Sequence, residues 1–125
     1  MENASCSEAL LLSFGEGMMQ HSHDADCVIC HSVFEVELRA GIDRDVTKGI
    51  LRNRPAYLLR RIAEVGAVEA TRVLVLDPTP SETLIELLMD NHSGHTLEAR
   101  TLEWSGTCSI FSDEVKAMAR RKLGL

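Results

Sequence analysis

The chain has 125 residues, of which 45% are hydrophobic and 26% are charged, and its net charge at pH 7 is −6. This length and composition are typical of one globular domain that buries a core without disulfide staples, and the acidic balance disfavours polyanions as long-range partners. Apolar runs fall short of the roughly 20 residues of a membrane span, and the N-terminus lacks the basic start of a signal peptide, so we expect a cytoplasmic protein.

The N-terminal third predicts helices. Ser5 or Ser7 can cap a first helix over 7–19. Residues 27–40 fit two patterns. Alternation of apolar and charged residues is typical of a strand, whereas Asp26 as an N-cap and Gly41 as a C-terminal stop favour a helix. Because capping signals flank both ends, we predict the helix.

The next elements are delimited by proline and glycine. Asp43 or Asp45 is expected to open a helix that is interrupted near Arg54, because Pro55 lacks an amide donor and restricts the residue before it. A further helical segment is predicted from Ala56 to Val65, ending at Gly66.

The second half of the sequence predicts both helical and extended segments. Val73–Leu76 is a short, continuously apolar run and is predicted to be a buried strand. A helix is predicted over 80–91, with Thr79 as N-cap and Glu82 completing a capping box. His95–Trp104 is predicted to be extended.

Ser112 caps a last predicted helix that runs to Leu123. The order of elements predicts a single α+β domain over 1–125, mostly helical, with a minor sheet of two or three strands.

Residues 21–31 form a loop with an unusual density of metal-binding side chains. Thiolates and imidazoles bind zinc, and two cysteines separated by two residues can share one tetrahedral ion. We predict a metal site, most simply structural zinc, in which His23, Cys27 and Cys30 are joined by His21 or His31. The candidate ligands of this loop are His21, His23, Cys27, Cys30 and His31.

A second histidine pair offers an alternative site. His92 and His95 follow the helix predicted over 80–91, and together with Cys27 and Cys30 they would make a Cys2His2 set. The isolated Cys6 and Cys108 are interpreted as small buried residues.

Two other interpretations of the Cys27–His31 segment stay open. The motif C-x-x-C-H matches the attachment sequence of c-type haem, although attachment normally occurs outside the cytoplasm. Alternatively, Cys27 is a redox thiolate at a helix N-terminus and Cys30 is its resolving partner.

The segment 44–61 concentrates positive charge within an acidic chain. Arg44, Lys48 and Arg52 are spaced by four and would share one helix face, which suits nucleic acid or an acidic protein surface. The alternative is a face that pairs with the chain's own acids. The basic residues are Arg44, Lys48, Arg52, Arg54, Arg60 and Arg61.

Motifs of known catalytic sites, such as a glycine-rich phosphate loop or H-E-x-x-H, are not found in the sequence. The sequence therefore favours a small zinc-binding protein that acts as a binding or regulatory module through its basic surface. A thiol redox or metal-dependent enzyme and a haem protein are the alternatives.

Overall fold

The structure is a computed structural model that describes residues 27–104, 106 and 108–125. Within these residues it contains six α-helices and one turn of 3-10 helix at Ser93–His95, and no strand. The helices are α1 (Val28–Thr47), α2 (Ala56–Val65), α3 (Ala67–Leu76), α4 (Glu82–Met89), α5 (Leu97–Glu103) and α6 (Asp113–Lys122). The predicted α+β class with a minor sheet is therefore wrong, and the helix predicted over 7–19 lies outside the described residues.

The strand and the extended segment predicted in the second half of the chain are both largely helical. Val73–Leu76 forms the end of α3, where Val75 is buried while Val73 is exposed, as expected for a helix face. A four-residue apolar run fits either period, and the helix-favouring residues before it decide the outcome. Most of the predicted extended segment His95–Trp104 forms α5, because the Thr96 hydroxyl caps it by accepting the Ala99 amide at 3.0 Å.

The helix predicted over 27–40 exists but extends much further. It begins after Cys27, which takes the N-cap position that the sequence assigned to Asp26, and it passes through Gly41 to Thr47. Asp43 and Asp45 therefore lie within α1 and do not open a new helix. Gly41 does not stop the helix; it lies under the guanidinium of Arg100, where a Cβ atom would collide.

Predictions based on local capping and helix breakers are confirmed in large part. α2 has the predicted bounds and ends at Gly66, whose φ of 90° suits glycine. Ser112 caps α6 by accepting the Val115 amide at 3.2 Å. The helix predicted over 80–91 is α4, although its N-cap is Ser81, which accepts the Leu84 amide at 3.0 Å, and not Thr79.

The core is built around α1. Its buried side chains Phe34, Leu38 and Ile42 recur every four residues and form one stripe. Phe34 packs edge-on against Phe111, with ring centroids 5.0 Å apart, which joins α1 to the start of α6. α3 packs against α1, α2 and α6. In the described part of the chain, every helix is too short or too polar to cross a membrane.

Candidate metal centre

Three cysteines lie together at the N-terminal end of α1. The sulfur atoms of Cys27, Cys30 and Cys108 all lie within 4.8 Å of one another. All three residues are buried, with exposed fractions of 1%, 4% and 2%. A C-x-x-C pair and a distant cysteine thus form one compact group of soft ligand atoms inside the protein.

The start of α1 positions the first two thiols. Residues three apart share a helix face, which places Cys27 and Cys30 side by side. The Cys27 sulfur also accepts the backbone amide of Cys30 at 3.4 Å, in place of the usual hydroxyl or carboxylate cap. The bond satisfies one of the first-turn amides that have no partner within the helix.

Trp104 holds the third thiol in place. Its indole Nε1 donates to the backbone oxygen of Cys108 at 2.8 Å. Its ring packs edge-on against Phe34, with centroids 5.9 Å apart. Because Phe34 belongs to α1, the segment between α5 and α6 is fastened to the same helix that carries the cysteine pair.

The spacing of the three sulfurs suits a tetrahedral ion. Zinc–sulfur bonds of about 2.3 Å place two sulfurs of one tetrahedral site about 3.8 Å apart. The separations in the cluster, all at most 4.8 Å, bring the thiols to this range with small side-chain movements. Three thiolates supply three of the four ligands of a structural zinc site.

The structure locates the sequence-predicted ligands unevenly. It brings Cys27 and Cys30 together, as predicted, whereas His21 and His23 lie outside the described residues, as does Cys6. His31 is half-buried in the first turn of α1, and the group of ligand atoms does not include it.

The alternative Cys2His2 set is not assembled among the described residues, since neither His92 nor His95 joins the cysteine group. Their rings lie edge to face, with centroids 5.8 Å apart. The Nδ1 atom of His95 instead lies 3.1 Å from Oδ1 of the buried Asp45.

Cys108 is the site residue that sequence reasoning missed. The prediction that Cys108 is buried is confirmed, but the sequence does not indicate that it lies beside the C-x-x-C pair. No spacing rule connects a lone cysteine to a pair so far away in the chain. Only the packing of the α5–α6 segment on α1 brings the three together.

The predicted basic helix face is shorter than expected. Lys48 is the C-cap of α1 and its backbone amide donates to the Arg44 oxygen at 2.9 Å, so these two residues lie one turn apart. Arg52 lies beyond the helix and does not share that face. In the described chain, Arg44 and Lys48 are exposed and have no acidic side chain within 4 Å.

Most other cations of this segment are paired within the protein. Arg52 lies 2.8 Å from Glu86 and 3.0 Å from Asp90 on α4 and its C-cap. Arg54 lies 2.6 Å from Asp43. Arg61 pairs with Glu64 at 2.9 Å, and Arg60 stacks over the ring of Tyr57. The geometry thus supports the interpretation in which the basic segment serves the protein's own acidic residues.

No family model, curated protein or solved structure matches this chain.

Proposed function

We propose that the protein carries a structural zinc ion bound by Cys27, Cys30 and Cys108. The observation that supports this proposal is that three buried sulfurs lie within 4.8 Å of one another. A C-x-x-C motif that arose by chance in a surface turn would not need a third cysteine beside it or burial of its thiols. Thiolate sets select zinc, copper(I) or iron–sulfur clusters, and a closed site of three cysteines and one histidine is a common structural zinc arrangement.

The fourth ligand is proposed to be a histidine of the loop 21–31. A structural zinc ion takes four protein ligands, and three are accounted for by the cysteine cluster. His23 is the first candidate because it lies four residues before Cys27, and His21 and His31 are the next. Single replacements of His21, His23, His31 and Cys6 by alanine, each followed by metal analysis, would identify the fourth ligand.

The ion would join the N-terminus of α1 to the segment between α5 and α6. These regions are distant in sequence, so the ion would hold together two segments that the unfolded chain does not keep close. Because the ligands come together only in the folded protein, metal binding contributes directly to folding free energy. The metal's role is thus to stabilise the fold.

Metal analysis of the purified protein is the primary test. We expect one zinc per chain, and the Cys108→Ser variant is expected to lose the metal and to melt at a lower temperature. Cys108 is the informative position because it belongs to the structural cluster and not to the sequence motif. Ser109→Ala is the matched control, since Ser109 is the exposed neighbour of Cys108.

Replacement of zinc by Co2+ tests the ligand set itself. Three thiolates and one nitrogen should give intense visible d–d bands of a tetrahedral ion and a thiolate charge-transfer band that weakens in Cys108→Ser. A zinc-free protein whose melting temperature does not respond to added zinc or to a chelator would contradict the proposal. So would full zinc content in Cys108→Ser.

A thiol redox function is the second candidate, since Cys27 takes the N-cap position of α1 and Cys30 lies beside it as a candidate resolving thiol. Burial opposes it, because an attacking thiolate must reach its substrate and Cys27 is 1% exposed. A redox protein would exchange its Cys27–Cys30 disulfide with a dithiol in the absence of metal. A structural site would instead lose its ion on oxidation and unfold more readily.

Haem attachment has less support. Both motif thiols are buried beside Cys108, whereas covalent attachment requires them to face a haem pocket. A Soret band in the purified protein would instead identify it as a haem protein.

A contact surface on the basic segment stays a proposal, reduced to Arg44 and Lys48. Charge reversal of both residues to glutamate should weaken capture of an acidic protein or nucleic acid, and unchanged capture would dismiss it.

A further inference from the structure

The side of α1 that faces away from the core carries a second row of apolar residues. Successive residues of a helix are about 100° apart, so Val36 and Ala40, each two positions from a core residue, lie on nearly the opposite side. Both are exposed, Val36 to 67%, and Val33 is 41% exposed. We call this row the outer stripe, and it consists of Ile29, Val33, Val36 and Ala40.

The outer stripe is more than a scatter of surface residues. A single exposed valine is ordinary, whereas a helix that is apolar on two opposite faces is normally packed on both. In the described part of the chain, Val36 and Ala40 stay open to solvent, and only Ile29 reaches the core. The members of the stripe are separated by four, three and four positions, which is the spacing by which one helix packs along another.

The segment that precedes α1 repeats this spacing. The helix predicted over 7–19 lies outside the described residues. Within it, a serine and three large apolar residues are also separated by four, three and four positions, so they would share one face of that helix. These residues are Ser7, Leu11, Phe14 and Met18.

The connection between the two segments favours an antiparallel pair. Residues 20–27 join the predicted helix to α1, and such a length is usual between antiparallel helices. In this arrangement Leu11 would lie opposite Val36. Phe14 would lie opposite Val33, and the remaining two pairs of the matched rows fall into register at the same time.

Charge and tethering also favour the chain's own N-terminal segment as the occupant. Residues 1–26 include acidic residues but neither lysine nor arginine. In the same register Glu2 would lie beside the exposed Arg44 of α1. A second copy of the chain must associate from solution, whereas a segment tethered by a short connection has a high effective concentration at the stripe.

We propose that residues 7–19 fold back as a helix on the outer stripe of α1. A helix of this length is marginal in water by itself, so docking would keep it ordered. The proposal does not depend on the proposed zinc ion. The fold-back would nevertheless bring His21 and His23 to the end of α1 that carries Cys27.

Hydrogen exchange of the full chain tests the docking. Amides of residues 7–19 should exchange at least about tenfold more slowly than in an unstructured peptide, because exchange requires undocking. Val36→Glu should remove this protection, since it places a charge in the contact. Val73→Glu, at an exposed valine of α3, is the matched control and should keep it. Unprotected amides in the unmodified chain, or full protection in Val36→Glu, would overturn the proposal.

Neighbouring leucines test which face of the segment docks. Leu11→Glu should remove the protection, whereas Leu12→Glu, one position further and outside the shared face, should keep it. Equal effects of the two changes would overturn the proposal. Sedimentation should show a monomer under the conditions of exchange. A dimer that dissociates in Val36→Glu would instead assign the outer stripe to a second copy and reject the fold-back.

Discussion

The carboxylate of Glu35, in the middle of α1, accepts a hydrogen bond from the backbone amide of Ala67 at 3.2 Å. Ala67 is the first residue of α3, and its N-cap is Gly66, which has no side chain to satisfy the free amides of the first turn. A residue far away in the chain thus supplies the cap that the local sequence lacks. The same bond fixes the α2–α3 junction on α1.

Replacement of Glu35 by alanine should therefore lower the free energy of unfolding by about 1 kcal/mol, the usual cost of losing an N-cap. Glu37→Ala is the matched control, since Glu37 is an exposed glutamate on the same helix. Urea denaturation measures both variants. Equal effects would show that the bond to Ala67 contributes nothing beyond helix propensity.

Gly41 gives a prediction that opposes helix propensity. Alanine in a helix interior is normally favoured over glycine by about 1 kcal/mol. Here the new Cβ would collide with the guanidinium of Arg100, which cannot swing away without losing its bond to the buried Asp45 at 2.9 Å. We therefore expect Gly41→Ala to destabilise the protein by about 1–3 kcal/mol.

A double-mutant cycle checks the cause. In an Arg100→Lys background the planar group is gone, and Gly41→Ala should become neutral or stabilising when measured by urea denaturation. A stabilising effect of Gly41→Ala in the unmodified protein would contradict the predicted collision.

Two aspartates on α1 should respond very differently to removal of their charge. Asp45 is buried and bonded to Arg100 and His95, so Asp45→Asn leaves Arg100 poorly compensated and should cost about 3–5 kcal/mol. Asp43 pairs with Arg54 at the surface, and Asp43→Asn should cost less than about 1 kcal/mol. Thermal and urea unfolding of the two variants compare them directly, and similar losses would refute the central role of Asp45.

The sequence predicted the features that depend on neighbouring residues. Pro55 and Gly66 delimit α2, and Ser112 caps α6, because these effects act within one turn of the chain. The sequence-based prediction of helix ends and caps failed where residues distant in the chain determine them. The sequence around Gly41 predicts a helix end, whereas in the structure Gly41 makes room for the guanidinium of Arg100 inside α1. The N-terminus of α3 has no local side-chain cap, and Glu35 of α1 supplies one.

The candidate metal site follows the same division. The pairing of Cys27 and Cys30 could be predicted from spacing, since a C-x-x-C turn brings two thiols together wherever it occurs. The third thiol depends on Trp104 and Phe34, which fold the Cys108 segment onto α1. The contact between Asp45 and His95 likewise joins residues that no sequence motif connects.

Glu98 predicts how stability depends on pH. Burial raises the pKa of Glu98 above its ordinary value, and Lys122 only partly opposes this. The folded state therefore holds the proton more tightly than the unfolded state does. The contribution of Glu98 to stability is fully present below the pKa that Glu98 has in the unfolded chain. It is lost as pH rises through the higher pKa that Glu98 has in the folded protein.

Relative to Glu98→Gln, which cannot ionise, the unmodified protein should lose unfolding free energy as pH rises across that window. Urea denaturation of both proteins from about pH 4 to about pH 8 measures the difference. Glu103→Gln serves as the control because Glu103 is exposed on the same helix, and it should show no comparable trend. A gain of stability with rising pH, relative to Glu98→Gln, would mean that attraction to Lys122 outweighs the burial of the carboxylate.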